Sequence, residues 1–432
     1  MTTSALNLSF DVWNGISKEA PEPLGGNSYE IRSAAQLAGL AELVNSSAGS
    51  YRTGSYFLEG NIDLNGHNYE WTPIGNDEYP FNGTFEGQGY TIRNLKKINN
   101  LSNVGLFGQV VGISSTSEII DLNIEAVSIN ITSSAVIANA GTLAGYIEKY
   151  KIEHVFISGT FTVSSSVTSS HLCAGGIAGR IKDPATCILD SVSKINLTVK
   201  STGNKAYAGG IVGKNGIDAA NSGGIIENCY TIGNLTATST FDSPTSDQGA
   251  AHSGGIAGDN HGSIQYCYAI VNIEATSLHN VAFAGGIAGW CDTGPIAECY
   301  AMGNVTATTQ APTSYIYKLS HAGGIVGCIT DTSDPTIEKC AALNGIIKST
   351  ATVVGDAYAG RIVSRNTPGT FTNNVANTGM KVQNTTVTGT SSDKDGLGKT
   401  LTELKGASVY TSTLGWTPTE WLFPTDGYPQ LQ

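Results

Sequence analysis

Five acidic residues recur along the chain, Asp183, Asp218, Asp259, Asp292 and Asp331, each shortly after a glycine-containing phrase. Stacked in a column, such carboxylates could hold Ca²⁺, which takes about six to eight oxygens. They could also act as the acid and the nucleophile or base of a glycosidase, or as the calcium cluster of a polysaccharide lyase. A lyase needs a base beside the acids, and Arg180, Lys182 and Lys214 flank only the first of them. Their offsets from the glycines vary, and aspartate is also a good turn former. Four cysteines, Cys229, Cys267, Cys299 and Cys340, recur more strictly, in Ile226-Glu-Asn-Cys-Tyr230 and its successors. Side by side in register they would bridge poorly, because a disulfide needs a short Cβ separation and a roughly perpendicular dihedral. They are expected as reduced, buried thiols packing like Ala or Val, with no metal. Cys173, Tyr207, His252, Phe283, His321 and Tyr358 line up two residues before the glycines and predict an aromatic stack. His261, in Asp259-Asn-His-Gly262, is expected in a solvated turn.

What must position these residues is a repeat. Phrases such as Gly175-Gly-Ile-Ala-Gly179 and Gly209-Gly-Ile-Val-Gly213 recur, with Leu106, Leu143, Ile177, Ile211, Ile256, Ile287, Ile325 and Ile362 as the apolar third residue. The spacings are 37, 34, 34, 45, 31, 38 and 37 residues. The cysteine phrase follows, and a third phrase, such as Gly233-Asn-Leu-Thr-Ala237, closes the unit. Each unit reads as three short strands parted by Gly, Asn and Asp, too small to bury a core unless stacked on its neighbours. The predicted fold is all-β: a right-handed parallel β-helix of about eight coils, with about 4.8 Å rise per coil. The longer spacings imply insertions at 236–251 and 306–320, projecting from one corner. Residues 1–28 are expected as an N-terminal tail, 29–103 as a capping region, 104–378 as the β-helix and 379–432 as a C-terminal cap. Ser33-Ala-Ala-Gln36 is a capping-box pattern opening a short helix, and 401–410 are expected as a second. Trp416, Trp421, Phe423 and Tyr428 supply apolar area for the far end.

The glycine and cysteine phrases together resemble the GLUG repeat. So does Trp71-Thr-Pro-Ile-Gly75 with Phe81-Asn-Gly-Thr-Phe-Glu-Gly87, and so does the closing Trp421…Tyr428-Pro-Gln-Leu431. The resemblance covers nearly the whole chain. It implies an exported, adhesin-like protein of gut Bacteroidetes, displayed at the cell surface or secreted. Similar repeats flank the catalytic part of immunoglobulin A-cleaving metallopeptidases, but the seven histidines here include no His-Glu-x-x-His. The family compartment implies a precursor with an export signal, and the first residues carry no basic segment followed by an apolar one.

A net charge of −12 without any Lys/Arg run argues against nucleic acid and anionic membrane as partners. No apolar stretch is long enough to span a bilayer. The remaining chemistry is recognition. Trp290, Tyr315, Tyr317, Tyr69 and Tyr79 are the expected contact residues for a glycan or a host surface protein, with Trp290 facing solvent. The sequence therefore reads as a monomeric, non-enzymatic binding or adhesion protein without a required cofactor. The alternative is a lyase or glycoside hydrolase working from the aspartate edge.

Overall fold

The computed structural model describes residues 9–432, apart from 47–48, 99–101, 114–115, 134–137, 169–170, 218–221, 331–333, 354 and 366–367. It is a parallel β-solenoid of about eight turns. Each glycine phrase bends the chain between two short strands, as between Ala206–Gly209 and Val212–Asn215. Ala206–Gly209 pairs in register with Leu172–Gly175 on one side and Ala251–Gly254 on the other. The eight apolar third residues are all fully buried. The glycines permit close approach between coils: a Cβ on Gly286 would stand 1.9 Å from the carbonyl oxygen of Gly324, and one on Gly210 2.1 Å from that of Gly255.

The cysteine phrase makes the next corner. Asn228, Tyr266, Glu298 and Lys339 each adopt a left-handed conformation, with φ of 52°, 50°, 51° and 53°, one residue before the cysteine. Few side chains adopt this region readily, and the bend leaves a carbonyl pointing inward. Cys229 Sγ donates to Glu227 O at 3.1 Å, Cys267 to Gln265 O at 3.0 Å, Cys299 to Ala297 O at 3.1 Å and Cys340 to Glu338 O at 3.3 Å. One coil earlier Ser191 Oγ does the same to Leu189 O at 2.6 Å. The thiols are therefore more than apolar filler: each adds a weak second donor to a corner carbonyl that already accepts a backbone N–H from the preceding coil, as Glu227 O does from Asp190 N. All eight cysteines are free thiols, and only Cys187 is partly accessible. Burial raises the pKa of Cys229, Cys267 and Cys299 well above the ordinary thiol value, which suppresses the reactive thiolate. Native protein treated with iodoacetamide should thus modify Cys187 first, and the other seven only after denaturation. Mass mapping of the alkylated peptides checks this.

Long strands after the cysteines complete each coil. Val192–Ser201, Tyr230–Ser239 and Tyr268–Ser277 pair residue for residue and form one flat face. The insertions are held by Asn280, whose Nδ2 donates to Ser243 O and Ser246 O. Ile316 N donates to Pro244 O at 3.3 Å, so the two insertions meet at one corner as the spacings imply.

At the N-terminal end the helix Ala34–Asn45 is capped by Ser33, whose side chain accepts from Gln36 N, and it buries Leu37, Leu40, Ala41 and Val44. Phe10–Val12, within the segment expected as a tail, pairs with Asn61–Asp63 and extends the stack. At the other end only Leu401–Leu404 is α-helical, and a π-helical turn at Val409–Leu414 is closed by left-handed Gly415. The expected helix over 401–410 is thus broken, with Gly406 inside it. Trp416 and Trp421 stack at 4.5 Å. They lie on the flank of the solenoid, against Tyr268 and Tyr300, as a strap. Among the described residues, no helix is long and apolar enough to cross a membrane.

Candidate functional site

The two short strands flanking each glycine phrase meet at an angle, and their outward side chains converge in it. One wall is the column Cys173, Tyr207, His252, Phe283, His321 and Tyr358, in strict register. Neighbouring rings pack at 4.7 Å for Tyr207–His252, 4.9 Å for His252–Phe283, 5.3 Å for Phe283–His321 and 5.0 Å for His321–Tyr358. The predicted stack is present, mostly edge to face. The other wall is Tyr146, Arg180, Lys214, Asp259, Trp290 and Cys328.

Charge is concentrated where Lys214 meets Asp259. Lys214 Nζ donates to Asp259 Oδ2 at 2.8 Å, and both side chains are almost closed to water. His261 sits between two acids, with Nε2 3.2 Å from Asp259 Oδ1 and Nδ1 3.2 Å from Asp292 Oδ2. Neither ring nitrogen lies along a hydrogen-bond direction. The imidazole is buried, so the expected solvated turn histidine is corrected: coil stacking seats it between charged neighbours. Burial pushes Asp259 toward its neutral form, but Lys214 and His261 outweigh it and hold the carboxyl well below the usual range. Burial lowers His261 as well, yet Asp259 prevails and raises it above its ordinary value. His252, with burial dominant and Lys205 and Lys214 adding to it, is held well below 6.5. Its two ring nitrogens have no hydrogen-bond partner.

The five aspartates divide. Asp183 occupies its own turn and accepts from Ala185 N at 2.8 Å. Asp259 and Asp292 come together around His261, and Thr330 Oγ1 donates to Asp292 at 2.9 Å. Asp218 and Asp331 lie outside the described residues. Among the described residues, no group of three or more His, Cys, Asp or Glu side chains could hold a metal ion.

The five aromatics are scattered. Trp290, expected to face solvent, is half-buried, 5.0 Å from the His252 ring and 5.5 Å from Phe283, because Ala250 and Leu319 of the two insertions close over it. Tyr315 is half-buried, with its hydroxyl donating to Asp242 Oδ1 at 2.6 Å, so it ties the insertions together. Tyr317 stands exposed beside Ile316 at the tip. Tyr69 packs edge-on to Trp13 at 6.0 Å. Tyr79 donates to Glu78 at 2.7 Å beneath the guanidinium of Arg52.

The flat face carries a feature that sequence reasoning assigned only to turns. Asn196, Asn234 and Asn272 are paired across coils and exposed. Asn234 Nδ2 donates to Asn196 Oδ1 at 2.8 Å and Asn272 Nδ2 to Asn234 Oδ1 at 3.1 Å, while Asn304 N donates to Asn272 Oδ1 at 3.1 Å. A shallow groove of about 390 Å³ runs over this ladder, lined also by Thr236, Glu274 and Thr306. Ile232 and Ile270 stand exposed beside it. The signal was the asparagine repeating in Gly233-Asn-Leu-Thr and Gly303-Asn-Val-Thr, which two-residue alternation would have placed on the outer face.

No family model matches the chain, and no curated protein matches it significantly. Among solved structures it is similar to a candidate immunoglobulin A1 protease from Bacteroides ovatus, at 21% identity and a TM-score of 0.43, over 94% of this chain and 92% of that one. It is also similar to an IgA1 protease at 14% identity and a TM-score of 0.31, over 84% of this chain and 20% of that one. Likenesses this distant carry nothing about activity.

Proposed function

We propose that this protein is a non-enzymatic glycan-binding module of the GLUG-repeat type, acting at the cell surface or after secretion. The reading rests on the exposed asparagine ladder. Asn234 and Asn272 each spend one N–H and one acceptor lone pair within the ladder, which leaves each amide a second N–H and a second lone pair for a ligand. Sugar hydroxyls both donate and accept, so a row of amides and threonine hydroxyls recurring with each coil suits an extended saccharide lying along the solenoid axis. Ile232 and Ile270 offer apolar surface to the C–H faces of the sugar rings. Tyr317, at the insertion tip, supplies a separate aromatic contact, and a host protein in place of a glycan would engage that tip first.

The hydrolase or lyase alternative has less support. Asp259, the most strongly perturbed of the acids, is committed to Lys214 and closed to solvent, whereas a glycosidase acid pair must reach the glycosidic oxygen. The test is a glycan array followed by titration of the best ligand. Asn234→Ala with Asn272→Ala should weaken binding at least tenfold, about 1.4 kcal/mol, and leave the thermal midpoint nearly unchanged. Undiminished affinity in the double variant would remove the face from consideration.

A further inference from the structure

We propose that Lys214 and Asp259 condense into an amide that covalently joins two successive coils of the solenoid. The two residues sit directly opposite one another on hydrogen-bonded parallel strands, Val212–Asn215 and Ala257–Asn260. The main chain therefore presses amine against carboxyl, Nζ standing 2.8 Å from Oδ2, and supplies the proximity that makes an intramolecular reaction fast. Water is nearly excluded, since the two side chains are 0% and 3% exposed. The Tyr207 ring lies 5.1 Å from Nζ, with buried His252 packed on that ring. Burial costs both charged groups their hydration. At rest the pair is ionic, because Lys214 and His261 hold the Asp259 carboxyl well below its usual range; the reactive neutral amine and carboxylic acid are a minor population reached by proton transfer within the pair.

The bond-making step balances without any co-reactant. The Nζ lone pair attacks Asp259 Cγ, and a new C–N bond forms. The C–O bond to the carboxyl hydroxyl breaks, and that hydroxyl leaves as water with a proton from nitrogen. Ammonium and carboxylate thus become one amide and one water, with no change in oxidation state. His261 Nε2 lies 3.2 Å from Oδ1 but out of hydrogen-bond alignment; a small rotation of the ring would let it relay the nitrogen's proton to the departing oxygen, with Asp292 3.2 Å from Nδ1 beside the imidazolium. The product removes two opposite charges from a dry site and leaves no water pool to hydrolyse it.

The location also has a structural rationale. Lys214 and Asp259 are 45 residues apart and bracket the longest repeat, with its insertion. A cross-link there closes a large loop in the unfolded chain, where such closure stabilises most.

Intact mass spectrometry of the purified full chain, followed by tryptic mapping under denaturing conditions, tests this. The expected mass is one water below that of the sequence. Trypsin should fail to cut after Lys214, and one branched peptide should contain both residues. Lys214→Arg, which keeps the charge but does not condense, should restore the sequence mass. A wild-type chain at its sequence mass, with cleavage after Lys214 and a separate Asp259 peptide, would overturn the proposal. So would water loss that persists in Lys214→Arg.

Discussion

Trp421→Ala should lower stability by about 3–5 kcal/mol, the usual cost of truncating a buried tryptophan. It should also detach the C-terminal strap before the solenoid itself unfolds. The indole is completely buried between Trp416, stacked at 4.5 Å, and the rings of Tyr300 and Tyr268 at 5.9 and 6.4 Å. These contacts belong to a buried apolar cluster in which Leu404, Val409, Tyr410 and Leu414 also join Ala341, Leu343 and Val375. Two hydrogen bonds assist, Tyr300 Oη to Pro429 O at 2.8 Å and Trp416 Nε1 to Lys339 O at 2.8 Å. A solenoid opens by locally cooperative units, so the cost falls mostly on residues 401–432. Limited proteolysis should release fragments from that region in the variant and not in the wild type, while the far-ultraviolet β signal persists. Equal protease resistance would show that the tryptophan is not the anchor.

Register was the part of this molecule most legible beforehand. Gly-Gly-Ile recurs in five successive coils because neighbouring coils approach so closely there that a Cβ would clash, whereas Thr142 and Arg361 take the second glycine's place in the coils on either side. The aromatic column from Tyr207 to Tyr358 followed from the same alignment. Burial was not legible. Trp290 shares a column with Arg180, Lys214 and Asp259, which reads as an outer surface, yet Lys214 and Asp259 are buried and Trp290 is half-buried. That surface is the inside of an angle, roofed by insertions whose own sequences show no periodicity. The partners of His261 were hidden for a related reason, since Asp292 lies a full coil away and its offset from the glycines differs from that of Asp259. The cysteine column was found, but its hydrogen-bonding role depends on a left-handed corner that falls on Asn, Tyr, Glu and Lys in turn. No residue type marks that corner.

Acidification should destabilise the protein well above the range in which its carboxylates titrate, and the aromatic column explains why. His321 is fully buried between Phe283 and Tyr358, and burial, helped by Arg365, lowers its pKa from 6.5 to about 3. The unfolded chain therefore binds a proton that the native chain refuses. The stability tied to neutral His321 is fully present above pH 6.5 and drains away as pH falls from 6.5 toward 3. At pH 5 the loss is about 2 kcal/mol for this one residue. His252 is displaced in the same direction and adds to it. His261, raised above its ordinary value, opposes them: its contribution is full below pH 6.5 and fades as pH climbs through the raised value. Asp259, being depressed, loses its share only below the usual carboxylate range. Between pH 7 and 5 the two lowered histidines therefore dominate. His321→Phe inserts a ring of the kind already stacked beneath it, at the cost of the 2.8 Å contact between Nδ1 and Ser364 Oγ. Denaturant unfolding at pH 7 and pH 5 should show the variant losing about 2 kcal/mol less than the wild type over that interval. An identical loss in both would mean that His321 takes up its proton without unfolding the coil around it.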